Sequence, residues 1–167
     1  MGIPIEIEVD SGVFDFRLSA FVARASRSGS DPVLSTGLVK AGTRLTTFYY
    51  RRFFRADATR GWPALAKSTE RAKKRKGTYH KGILRDEDNL SRSFLPGAPN
   101  HVRRIAVDSI TEGTADPKAK YHQEGTSRMP IRRVVVDAPP ALIDLMTNED
   151  LRPAVDRLVQ IIFPQAA

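Results

Sequence analysis

The 167 residues carry 27 lysines and arginines against 19 acids, a formal net charge of +8, with 41% hydrophobic residues and no cysteine. That balance describes one ordinary globular domain and excludes a disordered tail, while the missing cysteines exclude disulfides, thiol catalysis and Cys-based metal sites. The excess of cations favours polyanions or acidic protein surfaces as partners. No run reaches the ~20 apolar residues of a membrane helix. The opening MGIPIEIEVD alternates and carries acids, unlike a signal peptide.

Residues Ile3 to Val9 place Ile3, Ile5, Ile7 and Val9 on one face, the period of a half-buried strand, with Pro4 marking an edge. Phe14 to Arg27 reads as a short helix and Ser26 to Ser30 as a turn. Asp31-Pro32 is a helix start, because an aspartate caps the first orphan amides and proline suits the first helical position. The series Leu34, Leu38, Ala41, Leu45, Phe48, Tyr49, Phe53 then predicts one long amphipathic helix to about Arg55. Gly61-Trp62-Pro63 reads as a turn, with Trp62 expected to anchor the core.

Between Arg71 and Arg85 stand seven cations and no acid: Arg71, Lys73, Lys74, Arg75, Lys76, Lys81 and Arg85. This stretch is expected to be an exposed basic arm, ordered only by neighbours. Three readings stay open for it: a solvated face, a dock for an acidic subunit, or a phosphate contact that is non-specific and salt-dependent. Ser91 to Leu95 and the HVRRIAVDSI segment are expected to be two strands of a hairpin around Pro96 to Asn100. Asp116-Pro117 opens a short helix through Gln123, and Pro130 to Val136 ends in a β-branched run that reads as a strand. Thr147 to Asp150 resembles a capping box before a last helix with Leu151, Val155, Leu158, Ile161 and Ile162 on one face, ended by Pro164. The predicted fold is therefore α+β over residues 1–167. An antiparallel sheet of about four strands packs against the long helix and the C-terminal helix, with the basic arm extended.

No chemical motif stands out. The histidines at 80, 101 and 122 have no partner ligand at i+4, so no metal or cofactor is expected, and His122 or Gln123 is instead expected to bond a backbone carbonyl beside Gly125. The carboxylates Asp86, Glu87, Asp88 and Glu149-Asp150 lie near no nucleophile or phosphate loop, so no catalytic residue is assigned.

The segment from Gly61 to Val136 nevertheless resembles a known pattern. Trp62, Leu65 and Thr69 precede the basic stretch RAKKRKGTYHK; Ile83-Leu84 lead to Leu90 and Ser93; then come Tyr121-His122-Gln123-Glu124-Gly125 and Pro130-Ile131-Arg132. In order and spacing these residues resemble the Mu-like phage virion-morphogenesis, or tail-completion, family. The resemblance implies a non-enzymatic structural protein of the virion, assembled in the host cytoplasm. It implies a neck ring, commonly six-fold, at the head–tail junction. Its partners would be copies of itself, head-closure or connector proteins, and tail-terminator or tail-tube proteins, with genomic DNA passing through the lumen and no membrane. The residues alone leave a second reading, a nucleic-acid-binding protein that contacts phosphates through 71–85.

Overall fold

The structure is a computed structural model that describes residues 3–7, 32–55, 61–106, 109–162 of the chain. In order these form β1 (Ile3–Ile7), α1 (Pro32–Arg52), α2 (Lys67–Arg75), a 3-10 turn (Tyr79–Lys81), α3 (Asn89–Arg92), β2 (His101–Ile105), β3 (Ile110–Thr114), α4 (Pro117–Glu124) and α5 (Pro140–Leu145). A π turn (Met146–Leu151) then leads into α6 (Arg152–Ile162). The expected helix at Phe14 to Arg27, the turn at Ser26 to Ser30, the Asp31 cap and the Pro164 stop lie outside the described residues.

The chain divides into two compact units. One holds residues 1–4, 46–102 and 113–137; the other holds 5–45, 103–112 and 138–167. In the first, Tyr49, Phe53, Trp62 and Phe94 are buried, with ring centroids 5.9 Å apart for Tyr49–Phe94, 6.0 Å for Phe53–Phe94 and 6.1 Å for Phe53–Trp62. Leu90, Ala119 and Val134 complete this core. Aromatic burial of this kind is the largest single source of core energy. The Tyr49 hydroxyl donates to the Val136 carbonyl at 2.6 Å, and burial pushes its pKa up to about 12.

In the second unit the three- and four-residue steps of α1 bury Leu34, Leu38, Ala41 and Leu45, together with Ile110, Met146, Leu151, Ala154 and Leu158. Two glycines on α1 allow close approach. A Cβ at Gly37 would lie 2.8 Å from the Asp150 carbonyl oxygen, and one at Gly42 would lie 2.6 Å from Glu112 Oε1. Glu112 is fully buried and accepts from Arg103 Nε at 2.5 Å, while Arg103 also reaches Thr43 Oγ1 at 3.0 Å. Burial raises the Glu112 carboxyl's pKa, against the pull of Arg103. Asp150, likewise buried, accepts from Arg44 Nε at 2.5 Å.

The expected antiparallel sheet of about four strands is not formed. The sheet has the order β1-β3-β2 and its antiparallel part is the two-stranded hairpin of β2 and β3, with bonds from Ala106 N to Ser109 O and from Ala115 N to Asn100 O. Helix dominates the described residues. Two expected strands went elsewhere. Ser91 and Ser93 lie in and after α3, where their hydroxyls donate to the Asp88 and Leu90 carbonyls three residues back, a local bond that competes with a strand ladder. Val134 and Val135 donate their amides to the Gln123 side chain at 3.1 and 3.0 Å, so this apolar run is satisfied without a neighbouring strand. The capping-box reading at Thr147 also fails, because the helix is already running from Pro140 and passes through the π turn.

Candidate functional site

Two features of the first unit absorb the residues singled out in the sequence: a backbone lock and a charged loop beside a cleft.

The lock joins residues 61–64 to 121–136. Arg132 is 5% exposed, and its guanidinium donates to the Pro63 carbonyl at 3.1 Å and the Ala64 carbonyl at 3.0 Å. Its own amide donates to the His122 carbonyl at 2.7 Å. Gln123 is the residue that meets a backbone carbonyl, donating to Val135 O at 2.8 Å while its Oε1 accepts the two valine amides. Trp62 is buried and donates Nε1 to Arg133 O at 3.3 Å. Gly125 takes φ +76°, open to glycine at no steric cost, and a Cβ there would stand 2.9 Å from Ile131 Cγ1. Asp116 caps α4 by accepting from Lys118 N at 2.9 Å, with Pro117 at the first helical position. Ser93, also buried, accepts from Thr114 Oγ1 at 2.7 Å.

The charged loop corrects the expectation of an extended arm, while Arg71, Lys74, Arg75 and Lys76 are exposed. Residues Arg71, Lys73, Lys74 and Arg75 belong to α2, and the chain then folds back through Gly77 and Gly82, both at positive φ, onto its own acids. Lys73 is 6% exposed and donates to the Arg85 carbonyl at 2.6 Å; burial lowers its pKa. Lys76 pairs with Asp86 at 2.9 Å. Lys81 and Arg85 each pair with Asp88 at 3.0 Å. Thr78 donates its hydroxyl to Asp86. The carboxylates Asp86 and Asp88 thus pair with three of the seven cations within the chain.

These groups border a cleft of ≈ 590 Å³. Its walls include Leu65, Thr69, Lys73, Lys76, Leu84, Asp86, Leu90, His122, Pro130 and Arg132. Burial, and next the Arg132 charge, lower the His122 pKa and favour the neutral ring. Ile83 is half-buried and Tyr121 is half exposed. Among the described residues no group of three His, Asp or Glu stands where it could hold a metal ion. No described helix is long and apolar enough to cross a membrane.

The loop has a pH signature. Bonds from Lys76 and Thr78 hold the Asp86 carboxyl at about 2, below its ordinary value of 3.8. A depressed folded pKa contributes stability above the unfolded value and loses it as pH falls through the folded one. The 76–86 loop is therefore expected to loosen between about pH 4 and pH 2. Protection of the Gly77 and Thr78 amides, relative to the intrinsic exchange rate at each pH, should fall over that range in the parent chain. In Asp86→Asn protection should be low already at neutral pH and flat with acid; an unchanged protection profile would remove the pairing from the account.

Comparison with protein-family models, with curated proteins and with solved structures returns no match for this chain.

Proposed function

We propose that the chain is a structural subunit of a ring at the head–tail junction of a tailed phage, joining head-closure components to the tail. The observation that carries this reading is the lock. The residues through which the sequence resembles the tail-completion family lie scattered between positions 62 and 132, yet Trp62, Gln123, Gly125 and Arg132 share one task. They hold separate backbone segments together through hydrogen bonds and close packing. Side chains spent on backbone carbonyls and amides build a rigid scaffold, and a rigid subunit suits assembly by shape and charge.

Cryo-electron microscopy of the particle encoded by the same genome tests the reading. A ring of this chain at the head–tail junction is the expected result. Complete virions without the chain would overturn it.

A second reading, a free nucleic-acid-binding protein, draws on the exposure of Arg71, Lys74 and Arg75. It predicts duplex binding by the isolated chain together with its absence from virions.

A further inference from the structure

The seven cations of residues 71–85 are not equivalent. Lys76, Lys81 and Arg85 pair with the acids at 86 and 88, and Lys73 is held by the Arg85 carbonyl. The other three, together with Lys67 at the start of α2, fall at another phase of that helix. Lys67, Arg71, Lys74 and Arg75 follow steps of four, three and one, which puts them on one helical face, and all four are exposed. Lys74 is further held over the Tyr79 ring at 4.8 Å, with Tyr79 itself 45% exposed. Glu70, half-buried, flanks this face, and Asp86, Glu87 and Asp88 border the cleft instead.

We propose that this outward stripe of α2 is a contact surface for the phosphate backbone of duplex DNA. The inference rests on the ring reading for its occupant, the genome that such a ring surrounds. Charge and dimension select it. Eight residues of helix rise about 12 Å, and on the order of seven phosphate charges lie along the same length of duplex axis. The stripe offers four cations and no base-reading element, so the contact positions DNA without regard to sequence. The internal pairs set its size: four available cations give a salt slope of about −3.6, or roughly 100-fold weaker binding between 50 and 200 mM salt. Engagement of the paired set as well would double the slope.

The experiment is fluorescence anisotropy of the isolated full chain with 20-base-pair duplexes of two unrelated sequences, titrated across salt. Equal affinity for the two sequences and a slope near −3.6 are expected. The variant K67E/R71E/K74E/R75E should lose at least tenfold in affinity, while K118E/K120E, with two exposed lysines on α4, should keep the slope; circular dichroism checks that both fold. Undiminished binding by the stripe variant, or no binding by the parent at 20 mM salt, overturns the proposal. So does competition by polyglutamate as effective as by duplex, which would make the stripe a dock for an acidic protein. The measurement needs no ring, so it separates from the particle experiment. Duplex binding by a chain missing from virions would sink the ring reading and leave the stripe standing.

Discussion

Replacing Arg132 by methionine is expected to cost about 3 kcal/mol of stability. The guanidinium makes two hydrogen bonds to backbone carbonyls from a site only 5% exposed. Bonds from a charged donor contribute about 1.5–3 kcal/mol each, and because Pro63 and Ala64 are exposed residues the sum is taken near the lower bound. Methionine keeps the apolar stem and removes both donors. Lysine carries the charge but not the planar fork, so Arg132→Lys should recover about half of the loss at most. Trp62 is the single tryptophan and bonds the neighbouring Arg133 carbonyl, so its fluorescence reports this unit during urea unfolding. An unfolding free energy within about 0.5 kcal/mol of the parent would sink the idea that the lock holds residues 61–64 in place.

Gly37→Ala should show the second large effect, with a sign opposite to helix propensity. On an open helical face this change stabilises by up to about 1 kcal/mol. Here the new methyl would meet Ala154 Cβ at 2.7 Å and the Asp150 carbonyl at 2.8 Å. One neighbour is backbone and cannot step aside, so overpacking of about 2 kcal/mol is expected to dominate. Thermal unfolding by circular dichroism gives the sign directly, and stabilisation would show the contact to be looser than described. Adding Ala154→Gly should restore part of the loss, because it relieves one contact and leaves the other.

The sequence stated some of this plainly and some not at all. The long helix was legible because Pro32 starts it and apolar residues recur at helical spacing through Tyr49. The short helix at Asp116-Pro117 was legible from its cap chemistry alone. The strand readings at Ser91 and Val134 failed for a common reason: local periodicity does not show which side chain will satisfy a backbone. A serine three residues from a carbonyl, and a glutamine 11 residues from a valine, took bonds that a ladder would have used. Composition marked 71–85 as basic, but a run of like charges says nothing about where the next acids fold. Only the turns at Gly77 and Gly82, with Leu84 and Asp88 at φ 60°, bring Asp86 and Asp88 back onto the lysines.

The π turn at Met146–Leu151 makes chain length a constraint in its own right. Along this helix the buried apolar positions step from Met146 to Leu151, Ala154 and Leu158, intervals of five, three and four, with the buried Asp150 four residues on from Met146. One turn closes with i→i+5 bonds and carries an additional residue, and Asp150 and Leu151, adjacent in sequence, are both buried there. That additional residue lies in the turn that presents Asp150 to both Arg44 and Gly37. A one-residue deletion here could leave a regular helix with a continuous apolar face and still displace the Asp150 carboxylate from the guanidinium it meets. The number of residues between Met146 and Leu151 therefore constrains this helix independently of the side chains along α6.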